Sequence, residues 1–198
     1  MAFYVVRHGQ TEANASGLLL GRANPQLDDV GRRQARAIGG ALPAGALVVS
    51  SPLDRCRQTT EHLAEIAQPR EVHLDDRLLE LDYGDLDLTP VSDVPSETWR
   101  AWQADPDFRP PNGETLTELA ARVHDCLEDF WPEAAAGEVV VVTHVSPIKA
   151  AVAWALGVPI DISWRCHVGQ ASITKIASGS KGPSLHWFNS TVHLDRQP

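Results

Sequence analysis

The chain has 198 residues, of which 43% are hydrophobic, and its formal net charge is −9 at neutral pH. This length and composition predict one domain over 1–198 with a full hydrophobic core, and the acidic balance argues against a nucleic-acid partner. Arginine nevertheless supplies 14 of the 17 basic residues, so a local arginine cluster can still bind a phosphate ester in a water-poor pocket, where close charges outweigh distant screened ones.

Apolar runs alternate with amphipathic segments in the first half of the chain, a pattern typical of α/β proteins. The residues of the first run are mainly aromatic or β-branched, which predicts a strand at Ala2–Arg7. Asp28 is a suitable N-cap for the helix that follows. The further predicted elements are a helix over residues 29–41, strands at Leu47–Ser50 and Glu71–Leu74, and between these strands a helix over residues 52–67.

The second half continues the same alternation. A capping box formed by Thr115 and Glu118 opens a helix whose apolar residues recur at helical spacing up to Phe130. The other predicted elements are a short helix over residues 97–103, a central strand at Glu138–Thr143, a helix over residues 147–156, and late strands over residues 171–176 and 185–188 joined by a turn at 178–183.

The cysteines and the hydropathy pattern indicate the cellular compartment of the protein. Cys56, Cys126 and Cys166 form no Cys-x-x-Cys pair, and their odd number argues against a disulfide framework. No apolar stretch is long enough to span a membrane, and a core strand is predicted where a signal peptide would begin. We therefore expect a cytoplasmic protein without a membrane partner.

The string Arg7-His8-Gly9-Gln10-Thr11 follows the first predicted strand. It places a cation and an imidazole at the carboxyl end of the sheet, where open α/β folds bind ligands. Histidine can attack phosphorus directly, and arginine presents a planar fork to phosphate oxygens. Gly9 is expected to let the backbone approach the ligand closely.

Three further sequence motifs contain residue types that suit phosphate binding and transfer. Ser51-Pro52-x-x-Arg55-x-x-Gln58-Thr59 follows the second strand; Ser51 suits an N-cap and Pro52 a first helical position, which places Arg55 about one turn into the helix. His144 ends the apolar strand at Glu138–Thr143, and Glu80 lies in a turn-rich loop three residues before a Tyr-Gly pair.

These strings, in this order, resemble the histidine phosphatase superfamily, also called the phosphoglycerate mutase-like family. Asn14 and the spacing from Gly21 to Gly31 also fit the family pattern. The resemblance runs from Val5 to about Thr174, and the late segment is most similar to the α-ribazole phosphatase-type branch. It implies a three-layer α/β/α fold with a mostly parallel central sheet.

The resemblance also implies roles. His8 would be the nucleophile that forms a phosphohistidine, while Arg7, Asn14, Arg55 and His144 would bind the phosphoryl group. Glu80 would be the general acid and then the base, with Asp82 and Asp85 as rival carboxylates in the same loop. Because arginines neutralise the phosphate charge, the family chemistry needs no metal and no cofactor.

A second set of residues is expected at the rim of the substrate pocket, with weaker support from the sequence. Arg22 could equally be a solvated surface residue, and a tryptophan in the short helix could equally pack within a lid. The expected rim residues are Arg22, Trp102, Arg109, His167 and Gln170.

The chain departs from the family pattern at two places. The family commonly has a tryptophan and a Glu-Gly pair after Tyr83-Gly84, where this chain reads Asp85-Leu86-Asp87-Leu88, so a rearranged loop is expected. After the second histidine the family commonly has glycine, whereas this chain has Val145, whose backbone N–H can still be offered.

Hydrolysis of a small phosphorylated metabolite is the favoured reaction. Phosphoglycerate mutases are longer and have extra basic residues near the site, whereas segment 85–111 of this chain contains only Arg100 and Arg109. The alternatives are mutase-type phosphoryl transfer and a non-catalytic module that binds phosphate or phosphopeptides on the same fold. The sequence leaves the substrate and the oligomeric state open.

Overall fold

The computed structural model describes residues 1–196 and contains, within them, a six-stranded sheet flanked by helices. The strands are β1 (Ala2–Arg7), β2 (Leu47–Ser50), β3 (Glu71–Leu74), β4 (Glu138–Thr143), β5 (Ile173–Gly179) and β6 (Gly182–Ser190). The helices are α1 (Glu12–Ala15), α2 (Asp29–Gly39), α3 (Asp54–Ala67), α4 (Ser96–Ala104), α5 (Leu116–Asp129), α6 (Trp131–Ala136) and α7 (Val145–Leu156).

The sheet has the strand order β3-β2-β4-β1-β5-β6. The first four strands in this order are parallel, and the last two are antiparallel to their neighbours. The predicted mostly parallel sheet is therefore confirmed. β1 and β4 are almost wholly buried, as expected for central strands covered on both faces.

Two separate hydrophobic cores lie on the two faces of the sheet. Phe3 and Val5 of β1 face one core, which includes residues of α5, α6 and α7. Tyr4 and Val6 face the other, which includes residues of α2 and α3. Successive side chains of a strand point to opposite faces, so the two cores establish the expected α/β/α layering.

The local predictions were most accurate where caps or apolar strands define the element. β1, β2, β3 and β4 have the predicted bounds, and Asp28 and Thr115 are the N-caps of α2 and α5. The prediction at the start of α3 was wrong: its N-cap is Leu53, without a side-chain bond, and the helix begins at Asp54.

The late hairpin also differs from the prediction. Ala171 has φ +55, which departs from the extended conformation, and β5 begins at Ile173. Pairing of Gly179 with Gly182 then confines the turn to residues 180–181. Within residues 1–196, no helix has both the length and the apolar character needed to cross a bilayer.

Candidate active site

The two histidines singled out by the sequence lie side by side at the carboxyl edge of the sheet. β1 ends at Arg7 and β4 ends at Thr143, and these two residues pair in the parallel ladder. The backbone N–H of His8 continues the ladder by donating to the Thr143 carbonyl at 3.0 Å. The ring centroids of His8 and His144 are consequently only 5.1 Å apart, and both side chains are buried.

His8 is held in one tautomer. Its Nδ1 lies 2.7 Å from the carbonyl oxygen of Gly9, and since a carbonyl can only accept, Nδ1 must carry the proton. Burial, followed by the positive charges of Arg55 and Arg7, moves the pKa of His8 well below 6.5. At neutral pH the imidazole is therefore uncharged, and Nε2 has a free lone pair for attack on phosphorus.

His144 is neutral for similar reasons but has the opposite tautomer. The Nε of Arg55 donates to its Nδ1 at 3.2 Å, so the proton is on Nε2, which lies 2.8 Å from the hydroxyl oxygen of Ser51. Burial and the charge of Arg55 lower the pKa of His144 well below 6.5. Ser51, predicted as a helix cap, instead orients this histidine.

Arg55 is fully buried and ties the site to the loop before α2. Its Nη1 donates to the carbonyl of Ala23 and its Nη2 to the carbonyl of Gly21, both at 2.7 Å. A guanidinium has five N–H donors. With the bond to His144, three of the five have protein acceptors, which leaves one N–H on each terminal nitrogen for a phosphoryl oxygen.

Arg7 has an unpaired donor next to His8. Its Nη1 donates to the carbonyl of Val168 at 2.8 Å. Its Nε is buried and has no hydrogen-bond partner among residues 1–196. A buried unpaired donor is costly, and an anion bound next to His8 would relieve that cost.

Glu80 is buried at the N-terminus of α7. Its Oε2 accepts from the backbone N–H of Val145 at 3.0 Å, and its Oε1 accepts from Ser146 at 3.1 Å and from its own neighbour Leu81 at 2.7 Å. The expectation that Val145 can offer its backbone N–H in place of glycine is met, although the acceptor here is Glu80. These amides hold the carboxyl group in one position.

The rival carboxylates occupy different surroundings. Asp82 Oδ1 accepts from the backbone N–H of Gly84 at 2.9 Å, which closes a local turn. Asp85 is exposed and accepts from the side chain of Asn112 at 3.0 Å. Glu80, by contrast, interacts electrostatically with both phosphate-site arginines. The geometry therefore favours Glu80 as the carboxyl group of the site.

Arg122, which the sequence analysis missed, supports the loop that carries Glu80. It donates to the carbonyls of Arg77 and Leu79 at 2.7 Å and to that of Glu80 at 3.1 Å. It also makes a two-pronged pair with Glu114 at 2.7 and 2.8 Å. No motif marks this arginine in α5, because its partners are backbone atoms from a distant loop.

Asn14 and Gly9 have local roles in the loop after β1. Asn14 is half-buried, and its Oδ1 accepts from the hydroxyl of Thr11, the N-cap of α1, at 3.0 Å. A Cβ at Gly9 would collide with the backbone of Gly31 in α2. Gly9 is therefore needed for contact between two backbone segments, and its role in ligand approach stays a prediction.

Both predicted rim arginines form ion pairs with carboxylates. Arg22 is half-buried, with its Nη2 3.6 Å from Glu114 and its Nε 4.0 Å from Asp82. Arg109 is exposed and donates to Glu118 at 2.5 Å. This bond attaches it to the first turn of α5.

The remaining rim residues differ in accessibility. Trp102 is only 2% exposed and belongs to the core, but it also lines a cavity, so its contact with substrate stays a prediction. His167 is exposed and Gln170 is half-buried. They flank Val168, whose carbonyl binds Arg7, and their contact with substrate stays a prediction.

The structure contains no candidate metal cluster in the part of the chain that it describes. Within residues 1–196 no three His, Cys, Asp or Glu side chains are grouped so that they could hold a metal ion. The charged groups that meet at His8 are arginines and one carboxylate, a donor set suited to an oxyanion.

Comparison with known proteins shows to which family this chain belongs. Residues 3–191 match the model of the histidine phosphatase superfamily, branch 1. The chain belongs to the histidine phosphatase superfamily. The predicted resemblance to this superfamily is thereby confirmed.

Curated members of the superfamily support this assignment over most of the chain. A bifunctional protein of Mycobacterium tuberculosis is 35% identical over 96% of this chain, and the chain spans only about half of that relative, 54% of its length. Phosphoserine phosphatase 1 of Hydrogenobacter thermophilus is 31% identical, with 96% of this chain and 92% of that protein covered.

A solved histidine phosphatase structure supports the predicted branch and fold. The α-ribazole phosphatase of Shigella flexneri superimposes with a TM-score of 0.81 at 26% identity, covering 96% of each chain. The predicted likeness to the α-ribazole phosphatase-type branch and the predicted phosphoglycerate mutase-like α/β fold are confirmed.

Proposed function

We propose that this protein is a phosphomonoester hydrolase that acts on a small phosphorylated metabolite through a covalent phosphohistidine at His8. The observation that carries the proposal is the unprotonated Nε2 of His8 beside the buried Arg55 and the half-buried Arg7, both with unused N–H donors. Phosphatase relatives of similar length support it.

In the first step, Nε2 of His8 attacks phosphorus, and the bond from phosphorus to the ester oxygen breaks. Arg7 and Arg55 donate to the phosphoryl oxygens, where charge accumulates in the transition state. The carboxyl group of Glu80, as general acid, gives a proton to the leaving alkoxide. The neutral His144 holds Arg55 in position through its Nδ1.

In the second step, water attacks the phosphohistidine and the bond from nitrogen to phosphorus breaks. Glu80, now ionised, takes a proton from the water. His8 returns to its starting tautomer because the Gly9 carbonyl keeps the proton on Nδ1 throughout.

Hydrolysis is favoured over mutase-type transfer by the surroundings of segment 85–111. Arg109 is paired with Glu118, and Arg100 is exposed, so the segment offers the site few cations with which to retain a second acidic substrate. We further propose a cytoplasmic location, in keeping with the buried free thiols of Cys56 and Cys126.

The test is His8→Ala, with His186→Ala as the control because His186 is exposed on β6. An aryl phosphate at mildly acid pH should release phosphate with the wild type and the control but not with His8→Ala. Quenching without acid, followed by mass measurement, should show one added phosphoryl group at His8. Turnover by His8→Ala at the wild-type rate would refute the mechanism, and binding without turnover by the wild type would indicate a non-catalytic module.

A further inference from the structure

A cavity of about 190 Å³ is lined by the sequence neighbour of Glu80 and by two residues whose amides bind its carboxyl group. Val145 and Ser146, whose amides hold the Glu80 carboxylate, form one side of this cavity, and Leu81 and Tyr83 of the Glu80 loop form another. If Glu80 protonates the leaving oxygen, the group attached to that oxygen must extend into space next to Glu80. The cavity is suitably placed to receive it.

The walls of the cavity are aromatic. Trp99 and Trp102 of α4 stack with their ring centroids 5.8 Å apart, and Trp164 meets both rings at 6.2 Å in edge or near-edge orientation. Tyr83 contacts Trp102 edge-to-face at 5.6 Å. Flat rings arranged in this way favour a planar apolar occupant, which can stack or pack edge-to-face against them.

Within the described part of the chain, two residues that line this cavity have a donor without a hydrogen-bond partner. Trp102 Nε1 is buried and has no partner among residues 1–196. Lys149 is half-buried in the cavity wall, and within the same range its ammonium group makes neither an ion pair nor a hydrogen bond. Burial lowers the pKa of Lys149, while Glu80 opposes that shift. Both groups can only donate, so the matching occupant carries an acceptor.

We propose that this cavity binds the leaving group of the substrate, and that this group is a single aromatic ring with an anionic or acceptor substituent. The inference rests on the proposed function and names its substrate class. An apolar cavity of about 150 Å³ holds benzene, so the volume here fits one substituted ring. A polyol would lose hydration against the indole walls without recovering it in hydrogen bonds.

The experiment compares kcat/KM for three esters that all release an alkoxide: cyclohexylmethyl phosphate, benzyl phosphate and 4-carboxybenzyl phosphate. The wild type should prefer benzyl over cyclohexylmethyl by about 3- to 10-fold. The carboxylate of 4-carboxybenzyl phosphate should raise kcat/KM about tenfold further through its charge-assisted hydrogen bonds.

Three variants separate the contributions to these ratios. Trp164→Leu should abolish the preference for benzyl over cyclohexylmethyl. Lys149→Met should abolish the carboxylate gain and keep the ring preference. Trp187→Leu is the matched control, because Trp187 is 51% exposed on β6, and it should keep both ratios. Equal ratios in Trp164→Leu and Trp187→Leu, or no ring preference in the wild type, would overturn the proposal.

A binding measurement distinguishes failure of this inference from failure of the proposed function. The alcohol 4-(hydroxymethyl)benzoate has no phosphate, so its binding does not depend on catalysis. It should change the tryptophan fluorescence of the wild type and bind more weakly to Trp164→Leu and Lys149→Met. Absence of binding would refute the cavity assignment even if phosphatase activity is present, and binding without any phosphatase activity would refute only the proposed function.

Discussion

At the scale of single residues, the position of a proton determines what each group of the site can do. The Gly9 carbonyl frees Nε2 of His8 for attack, while Arg55 and Ser51 give His144 the opposite tautomer. Glu80 is held as an acceptor by backbone amides. The sequence pointed to each of these side chains, but tautomers depend on partners far away in the chain.

Glu80→Gln should reveal the proton donor through its dependence on the leaving group. An alkoxide needs protonation whereas a nitrophenolate does not, so alkyl phosphate turnover should fall about 10²- to 10⁴-fold and nitrophenyl phosphate turnover much less. Steady-state kinetics with both esters measures the difference. Asp82→Asn, which alters a turn, is the comparison; if it shows the leaving-group dependence and Glu80→Gln does not, the role belongs to Asp82.

At the scale of structural elements, the sequence predicted those that are defined locally. Apolar strands and the capping box of Thr115 were read correctly because their signals are contiguous. The start of α3 was predicted two residues too early, and the Ser51 hydroxyl bonds mainly to His144, which is 93 residues away, with only a long contact to the Leu53 N–H. The support of the Glu80 loop by Arg122 was missed because its partners are likewise distant in the chain.

Arg122→Met should loosen the loop that carries Glu80. Three backbone carbonyls would lose their donor, and Glu114 would lose its two-pronged pair and keep only the longer contacts with Arg22 and the Asp82 backbone N–H. Unpaired carbonyls beside a weakly paired half-buried carboxylate cost about 2–4 kcal/mol of unfolding free energy. Urea unfolding measures this cost. Arg36→Met is the control, since Arg36 and Glu65 form an exposed pair worth about 0–1 kcal/mol; equal losses in both variants would contradict the assigned role.

At the scale of the whole molecule, folding buries two imidazoles in their uncharged form beside Arg7 and Arg55. His8 and His144 both have pKa values well below 6.5 in the folded protein, mainly because they are buried. The unfolded chain therefore binds more protons than the folded one once the pH falls below 6.5. The stability that these groups contribute is present above that pH and is lost as the pH decreases toward their folded pKa values.

The expected size of the effect is about 1.4 kcal/mol per pH unit for each buried histidine. Urea unfolding at pH 7.5 and pH 5.5 should show the wild type weakening on acidification. In His8→Asn, which cannot titrate at this position, the loss between the two pH values should be smaller by about 1.4 kcal/mol. An identical loss in both proteins would show that His8 is not a buried neutral group.

The contact between Gly9 and Gly31 also links catalysis to a helix that contributes no catalytic group. A Cβ on Gly31 would strike the backbone at Gln10, and the resulting shift would reach His8 two residues earlier. In a mutational screen scored by activity, substitutions at Gly31 should have the same effect as substitutions at His8, although the Gly31 residue has no group that takes part in the proposed reaction. A library intended to diversify this protein should therefore preserve Gly31 as strictly as His8.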